Sequence, residues 1–296
     1  MFENILGNEK NKNILEKSIK SNKTSHSYIF WGTEGIGKKL IAKEFAKRIL
    51  CLEQQENCKC KSCIEFDTDN NPDFQLIEPN EGKVKIEQIR EMQRKVAEKP
   101  IISNKKVYII ENSDTMTTEA QNCLLKTLEE PPEYITIILI CTNEDNLLST
   151  IKSRCTRMYF EPIDSEEIKK FIGKNYPELQ ISENIIDLSQ GSIGKTLKLN
   201  ENKNIYENIE KIFLSMQNKD LIEIVQMSEE IYKTKEEINS ILDYMNVVLL
   251  KLGKQNIKYI RCIEIVEQTK KRLKANSNYD MCIDNLLFNM TFIIHN

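Results

Sequence analysis

The sequence predicts an α/β fold with a parallel sheet over residues 1–162, followed by segments that are helical throughout. Short apolar runs alternate with amphipathic helical patterns in this first part. Two of the runs, KVYII (Lys106–Ile110) and YITIILIC (Tyr134–Cys141), are almost continuously apolar, which is typical of strands covered by helices on both faces. The strand pattern stops after Pro162. A chain of 296 residues is also too long for one ordinary core, so two or three domains are expected.

Five segments are predicted to be the strands of this sheet. They are SYIFW (Ser27–Trp31), FQLIEP (Phe74–Pro79), KVYII, YITIILIC and RMYFEPI (Arg157–Ile163). An amphipathic helix, from Lys38 to about Leu50, follows the first strand. This alternation of strands and helices is the pattern of a nucleotide-binding α/β domain.

The remainder of the chain is predicted to form two helical domains. The smaller one, residues 163–203, opens with DSEEIKKFI, in which Asp164 or Ser165 can cap a helix and carboxylates occupy its first turn. The larger one, residues 204–296, carries apolar residues at spacings of three and four and is long enough for a small bundle. The predicted domains are therefore residues 1–162, 163–203 and 204–296.

Composition excludes several classes of protein. Hydrophobic residues make up 40% of the chain, charged residues 29%, and the net charge is -3, so a folded protein without a global basic field is expected. The longest apolar run, around Ile135–Cys141, is too short to cross a membrane, and the polar opening MFENILGNEK predicts no secretory signal. We expect a cytoplasmic protein whose nine cysteines are thiols or metal ligands.

The stretch GTEGIGKK (Gly32–Lys39) lies between the first strand and its helix. Gly32, Gly35 and Gly37 would let backbone N–H groups approach a phosphate, and the helix N-terminus adds a favourable dipole. Lys38 is placed to reach the β- and γ-phosphates of a nucleotide. A chance glycine turn is the alternative, but the order of strand, loop and helix favours a phosphate-binding loop.

Two parts of this predicted nucleotide site depart from the pattern of an active ATPase. Lys39 stands where Ser or Thr normally coordinates Mg²⁺. After the KVYII strand, Glu111 and Asn112 stand where Asp holds the metal and Glu polarises water, and Asn112 is a poor general base. These departures predict a degenerate site that holds Mg²⁺ poorly and does not hydrolyse ATP. The alternative is that unusual residues substitute for both missing groups.

Four of the nine cysteines, Cys51, Cys58, Cys60 and Cys63, fall within thirteen residues. In a reducing compartment such a cluster predicts a structural zinc site, with four thiolates in a tetrahedron. Only Lys59 separates Cys58 from Cys60, and so short a gap chelates less comfortably. The alternative is a set of loose thiols in a solvated loop.

Several stretches together resemble the bacterial clamp loader subunits of the AAA+ family. AQNCLLKTLEEPP (Ala120–Pro132) resembles their signature helix and its prolines, STIKSRCTRMYF (Ser149–Phe160) contains a Ser-Arg-Cys motif, and HSYIFWGTEGIGKK and NPDFQLIEP also fit. The resemblance covers residues 1–162 well and the rest weakly. It implies an AAA+ type phosphate-loop domain with a zinc module at about residues 51–63, a small helical lid domain and a C-terminal all-α collar domain. The family usually spaces the last three cysteines of that module two residues apart.

Within that family, the chain resembles a non-motor subunit, which has a degraded ATP site but keeps the Ser-Arg-Cys motif. Arg154 ends a predicted short helix, LLSTIKSR (Leu147–Arg154). The resemblance implies that Arg154 is an arginine finger for the ATP site of a neighbouring motor subunit; a cation that suits the C-terminus of that helix is the alternative. Thr142 matches a phosphate-sensing position, although turn chemistry explains it equally well. Gly194 stands where motor subunits have a nucleotide-sensing arginine, and Lys195 follows it.

The implied function is that of an assembly subunit without enzymatic activity of its own. It would join gamma/tau motor subunits and the delta subunit of DNA polymerase III and, through the complex, act on the sliding clamp and primed DNA in chromosomal replication. One alternative is an active gamma/tau-like ATPase, which should have Ser or Thr at position 39 and Glu at position 112. Another is a P-loop nucleoside-phosphate kinase, whose lid should be rich in arginine, whereas residues 161–260 contain none.

Overall fold

A computed structural model of the chain describes residues 2, 5–55, 58–216, 223 and 231–295. These residues form two compact units, one within residues 1–164 and 192–194 and the other within residues 165–191 and 195–296. In the described part of the chain, no helix is both long enough and apolar enough to span a membrane. The three-domain division at residues 162 and 203 stays a prediction.

The first unit is built around a five-stranded parallel sheet. Its strands are β1 (Ser27–Trp31), β2 (Phe74–Ile77), β3 (Lys106–Ile110), β4 (Ile135–Cys141) and β5 (Thr156–Tyr159), in the order β2-β3-β4-β1-β5. All neighbouring strands run parallel, so the predicted α/β fold with a parallel sheet is confirmed. β2 and β5 end earlier than predicted, before Pro79 and Pro162, which have no N–H to continue a ladder.

Six helices in the described part of this unit accompany the sheet. They are α1 (Glu9–Lys20), α2 (Lys38–Leu50), α3 (Lys61–Asp67), α4 (Ile86–Val96), α5 (Thr118–Glu129) and α6 (Ser149–Lys152). Alternate side chains of each central strand enter two different apolar cores: Phe30 and Ile109 lie in one, Ile29 and Ile110 in the other. Burial on both sides explains why these strands are apolar without interruption.

The signature motif forms α5, which packs one face into the core. Ala120, Leu124 and Leu128 lie on one face of the helix and are buried. The helix begins at Thr117, whose side chain accepts a hydrogen bond from the N–H of Ala120. It ends at Glu129, just before the two prolines of the signature motif, which cannot continue a helix. The motif therefore has a clear structural role in setting the length and the buried face of α5.

The two ends of the parallel sheet carry different parts of the predicted site. The phosphate-binding loop follows β1, Glu111 follows β3 and Thr142 follows β4, so all of them lie at the carboxyl end of the sheet. Arg154 lies at the amino end, where Ser27 Oγ, at the start of β1, donates a hydrogen bond to its carbonyl oxygen at 2.8 Å. Because a strand rises about 3.3 Å per residue, β1 separates the two ends by about 13 Å.

The second unit is helical throughout its described residues. Its helices are α7 (Ser165–Asn175), α8 (Glu183–Ser189), α9 (Ile193–Glu201), α10 (Lys203–Ser215), α11 (Ile238–Gly253), α12 (Lys258–Lys274) and α13 (Tyr279–His295), with the first residues of α9 grouped in the first unit. Leu188, Tyr206, Ile241, Cys262 and Leu286 share one apolar core. The expected all-helical character of this part is confirmed.

Candidate functional site

The loop between β1 and α2 has the backbone of a phosphate-binding loop. Gly32, Gly35 and Gly37 have φ angles of 143°, 75° and 94°, a region that side chains rarely adopt. A Cβ atom on Gly32 would lie 2.4 Å from the carbonyl oxygen of Phe160. Gly37 is the N-cap of α2, so the first N–H groups of that helix face the loop. The order of strand, glycine loop and helix is as predicted, and phosphate binding by the loop stays a prediction.

Lys38 is turned onto the loop itself. Its buried ammonium donates hydrogen bonds to the carbonyl oxygens of Gly32, at 2.5 Å, and Thr33, at 2.7 Å. Burial lowers the pKa of Lys38, although nearby acidic groups, including Asp114, oppose the shift. To contact a phosphate, Lys38 would have to leave these carbonyl oxygens.

Lys39 is held between two carboxylates. Its Nζ atom lies 2.8 Å from Glu78 Oε1 and 2.5 Å from Glu111 Oε2. Burial disfavours the charged form of Lys39, but hydrogen bonds to Glu111 and Glu78 outweigh burial and raise its pKa. The hydrogen bond from Lys39 in turn lowers the pKa of Glu78. Glu78 was missed by the sequence reasoning; it follows β2, which is next to β3 in the sheet.

The arrangement around Lys39 does not fit a Mg²⁺ ion. Mg²⁺ requires about six oxygen ligands in octahedral geometry at about 2.1 Å. Here the residue at the place of the hydroxyl ligand is a lysine, and its ammonium is hydrogen-bonded to Glu111, which follows β3. The site therefore offers a divalent ion a positive charge where a ligand is needed.

Asn112 and Thr142 lie at the carboxyl end of the sheet, as predicted, and both are exposed. Asn112 has a left-handed backbone, with φ 46° and ψ 46°, and its amide cannot act as a carboxylate base. The backbone N–H groups of Thr142 and Asn143 donate hydrogen bonds to Asp114 Oδ2, at 3.1 and 3.0 Å. Asp114 lies after β3, and its carboxylate holds the turn that follows β4. The sequence reasoning also missed this residue.

Gly194 contacts the phosphate-binding loop through its backbone. Residues 192–194 group with the first unit, and the N–H of Gly194 donates a hydrogen bond to the carbonyl oxygen of Gly35 at 3.1 Å. A Cβ atom on Gly194 would lie 3.3 Å from both Cα and the carbonyl oxygen of Gly35. The position compared with a sensing arginine is therefore a close backbone contact.

Arg154 lies just after α6, which ends at Lys152, two residues earlier than predicted. Its guanidinium lies 2.9 Å from Glu129 Oε1 and donates a hydrogen bond to the carbonyl oxygen of Thr150, also at 2.9 Å. The contact with Thr150 is the interaction expected of a cation at a helix C-terminus. The side chain of Arg154 remains 34% exposed and that of Glu129 50% exposed. Glu129 belongs to the signature motif, but sequence reasoning did not connect it with Arg154.

The four clustered cysteines come together as predicted. The Sγ atoms of Cys51, Cys58, Cys60 and Cys63 all lie within 4.8 Å of one another. A tetrahedral zinc ion with Zn–S bonds of about 2.3 Å places its sulfur ligands about 3.8 Å apart, so the cluster fits such an ion with small adjustments. Cys51 follows α2 and Cys63 lies in α3, and both are buried. The short Cys58–Cys60 spacing does not keep the thiols apart.

The cluster also favours a thiolate at one position. Burial raises the pKa of Cys60, but hydrogen bonds from the backbones of Leu52 and Cys63, together with those from neighbouring thiols, outweigh it and lower the pKa to about 7. Burial and the neighbouring thiols raise the pKa of Cys63. Because metals bind the thiolate form, Cys60 is the ligand best prepared to receive an ion at neutral pH.

Comparison with known proteins agrees with the fold. A family model described as "DNA polymerase III, delta subunit" matches residues 7–164. A solved structure of a DNA polymerase III gamma subunit-related protein from Thermotoga maritima aligns with 95% of this chain and 99% of its own, with a TM-score of 0.51 and 18% identity. At that identity the structural likeness establishes the fold alone, an AAA+ type α/β domain followed by helices.

Two curated relatives are clamp loader subunits. The DNA polymerase III subunit delta' of Bacillus subtilis is 38% identical over 158 residues, which are 53% of this chain and 48% of the relative. The subunit tau/gamma of Haemophilus influenzae is 33% identical over 208 residues, 68% of this chain and 30% of the relative. The chain thus spans half or less of the length of these relatives. Since the family model covers more than half of the chain, the chain belongs to the DNA polymerase III delta-subunit family, and the resemblance to a delta-prime clamp loader subunit is confirmed.

Proposed function

We propose that this chain is a non-hydrolysing subunit of the DNA polymerase III clamp loader. It joins a ring with gamma/tau motor subunits and a delta subunit, and it donates Arg154 to the ATP site of a neighbouring motor subunit. The assembled complex then loads the sliding clamp onto primed DNA during chromosomal replication, in the cytoplasm. This chain contributes to the clamp-loading ATPase without turning over a nucleotide itself.

The position of Arg154 carries the proposal. Its guanidinium lies at the amino end of the sheet, beside Glu129, whereas the phosphate-binding loop lies at the carboxyl end. An arginine side chain is shorter than the roughly 13 Å that β1 spans, so Arg154 cannot serve the loop of its own chain. Its exposed fraction leaves it open to a ligand that arrives from outside, and a nucleotide bound to the neighbouring subunit fits that requirement.

The chemistry of guanidinium supports the same role. Its planar fork stays charged at all physiological pH values and pairs with two phosphate oxygens at once. A finger of this kind, supplied in trans, stabilises the charge that develops during phosphoryl transfer and raises the rate by about 10³–10⁵ in comparable systems. Glu129 holds the guanidinium until the neighbour docks, and a surface ion pair of this kind costs little to break.

The absence of hydrolysis follows from the other end of the sheet. Lys39 occupies the place of a metal ligand and is paired with Glu78 and Glu111, while Asn112 lacks the carboxylate that would polarise water. Both defects support a subunit that assists its neighbours. The same residues count against the alternative of a motor ATPase.

Assembly is assigned to the predicted collar domain, residues 204–296. Met281, Phe288 and Phe292 of α13 are 71%, 39% and 70% exposed, and their spacing places them on one side of the helix. A set of large exposed apolar side chains is typical of a protein interface. We assign to this surface contacts with the collar domains of the motor and delta subunits.

A structural zinc ion is part of the proposal. The four thiol groups of the cysteine cluster would hold it in a closed tetrahedron with no position left for substrate. Such an ion links the end of α2 to α3 and contributes stability without taking part in catalysis.

Reconstitution tests the proposed function. The chain is mixed with gamma/tau and delta subunits, and DNA- and clamp-stimulated ATP hydrolysis and clamp loading are measured with and without it. We expect loading to require this chain even though it hydrolyses nothing alone. Substituting Met281 and Phe288 together by lysine should abolish assembly on a sizing column, while Asn289→Lys on the same helix should not. Full clamp-loading activity of the motor and delta subunits without this chain would overturn the proposed function.

A further inference from the structure

The phosphate-binding loop contains a positive charge that the proposed function does not explain. Lys39 is the second residue of α2, Glu78 follows β2, and Glu111 follows β3. Its ammonium lies 2.8 Å from one carboxylate and 2.5 Å from the other. A single cation therefore joins three separate elements at the carboxyl end of the sheet.

We propose that the Lys39 ammonium is a built-in cation which replaces a divalent metal ion in this degenerate site and keeps such an ion out. The inference rests on the non-hydrolysing part of the proposed function and is independent of Arg154. The inference goes further by assigning a function to Lys39: its ammonium supplies the positive charge that a metal ion supplies in an active site.

Charge and geometry both support this role. Without Lys39, the side chains of Glu78 and Glu111 would face each other at close range, and two neighbouring carboxylates repel. The ammonium satisfies both with hydrogen bonds and remains partly shielded, being 37% exposed, with Glu111 22% exposed. An arriving divalent ion would meet the ammonium at a few ångströms, where like charges repel strongly in a partly buried site.

The built-in cation also stabilises the loop without a nucleotide. In active nucleotide-binding proteins, the γ-phosphate and its Mg²⁺ hold neighbouring switch loops in place. Here Lys39 ties the start of α2 to the ends of β2 and β3, and Lys38 binds the loop carbonyls. These contacts come from the chain itself and need neither metal nor nucleotide.

The test removes the ammonium from the full chain loaded with zinc. Lys39→Thr restores a hydroxyl group and leaves Glu78 and Glu111 available to a metal. Binding of Mn²⁺ is measured from the spectrum of the free ion by electron paramagnetic resonance, and thermal unfolding is followed with and without Mg²⁺. We expect Lys39→Thr to bind Mn²⁺ about tenfold more tightly than the wild-type chain and to gain a Mg²⁺-dependent rise in Tm.

The control variants separate this effect from a general loss of positive charge. Lys95→Thr removes a lysine of α4 that lies 3.1 Å from Glu91, and it should behave like the wild type. Adding Glu111→Gln to Lys39→Thr should remove the gain. If Lys39→Thr does not fold, Lys39→Gln, which keeps a long polar side chain, is measured instead.

Two results would overturn the inference. One is tight Mn²⁺ binding by both the wild-type chain and the folded Lys39 variant, because the ammonium would then exclude nothing. The other is weak binding by both, because removing the ammonium would then not open the site to a metal ion. Both measurements use the isolated chain, so their outcome is separate from that of the reconstitution, which tests Arg154 and assembly.

Discussion

The two ends of the parallel sheet carry charged groups in opposite arrangements. At the carboxyl end, Lys38 is hydrogen-bonded to the loop carbonyls and Lys39 to two glutamates, so each lysine has its partners within the chain. At the amino end, Arg154 is paired with Glu129 at the surface, and both side chains are partly exposed. Lys39 and Arg154 are similarly exposed, at 37% and 34%, so the ends differ in how their cations are held. We call the carboxyl end closed because two carboxylates that follow different strands hold Lys39, and the amino end accessible because a single half-exposed carboxylate holds Arg154.

Under the proposed function, this contrast separates a role that the chain lacks, nucleotide turnover, from one that it performs through Arg154. At the carboxyl end, Lys39 and its two glutamates neutralise one another within the chain. The amino end depends on a surface pair, which contributes about 0–1 kcal/mol to stability. Arg154 can therefore be used by a partner at little cost to the fold.

The largest expected effect comes from removing the accessible arginine. Arg154→Ala should slow ATP hydrolysis at the neighbouring site by about 10³-fold or more, while total ATPase falls only in part because other motor sites have their own fingers. Arg154→Lys should also be impaired, because an ammonium cannot reproduce the fork. The measurement is DNA- and clamp-stimulated ATPase of the reconstituted complex, with clamp loading as a second readout.

The matched control for Arg154→Ala is Lys152→Ala. It removes the cation at the end of α6, which lies 3.8 Å from Asp145. This variant should load clamps like the wild type. Gel filtration must show equal assembly of all variants. Wild-type rates for Arg154→Ala in an assembled complex would leave Arg154 as a helix-terminal cation only, and the contrast between the two ends would lose its functional meaning.

A second prediction concerns the far end of α2, which runs from the phosphate-binding loop to the cysteine cluster. The purified chain should contain about one equivalent of zinc. Cys60→Ser should lose most of it and unfold at a lower temperature, since structural zinc contributes directly to folding free energy. Metal analysis and thermal unfolding measure both effects.

Cys123→Ser is the control for zinc binding, because Cys123 lies in α5, outside the cluster, where its thiol donates to Gln93. It should retain the metal. A wild-type chain purified without zinc, or a Cys60→Ser variant with unchanged metal content, would contradict the prediction and indicate a set of ordinary thiols.

A smaller effect is expected at the partner of the accessible arginine. Glu129→Gln removes the charge that orients Arg154, and it should reduce kcat of the neighbouring site by at most about fivefold, the range of an exposed ion pair. KM for ATP should stay unchanged, because Glu129 positions a group that acts in the transition state. Steady-state kinetics of the assembled complex separates the two parameters.

Glu130→Gln is the matched change at the next, exposed position and should have no effect. An equal loss in both variants would point to an altered end of α5. A rise in KM alone would mean that the pair affects nucleotide binding, and Glu129 would then not be a positioning residue.

The smallest expected effect concerns turnover by the closed end itself. The isolated chain with Mg²⁺ and ATP should release no phosphate above background, because Lys39 and Asn112 replace the metal ligand and the base. A Lys38→Ala variant should be indistinguishable from the wild type in this assay. Phosphate release that disappears in Lys38→Ala would show that the site is catalytic after all.

Much of the first unit could be predicted from local patterns. The five strands, the glycine loop and the start of α2 follow from runs and spacings within a few residues, and all are present. The end of the helix before Arg154 was predicted two residues too late, because the residues at a helix end are compatible with either state. The cysteines were also recognised locally, since they lie within thirteen residues.

The partners within the site required the tertiary structure. Lys39 pairs with carboxylates 39 and 72 residues away, and Arg154 pairs with a carboxylate 25 residues away. Which strands are neighbours decides these contacts, and an alternating pattern of strands and helices does not specify the order of strands in a sheet. Glu78 and Glu129 were therefore invisible as site residues, although both lie beside recognised motifs.

The sequence by itself determined the kind of domain, the loss of the metal-binding hydroxyl and the retention of Arg154, because each is a matter of residue type at a position in a local motif. Only the tertiary structure decided that Lys39 pairs with Glu78 and Glu111 and that Arg154 lies at the opposite end of the sheet from its own loop. The physical reason is that charge acts through distance in space, and those distances are set by long-range packing of the strands.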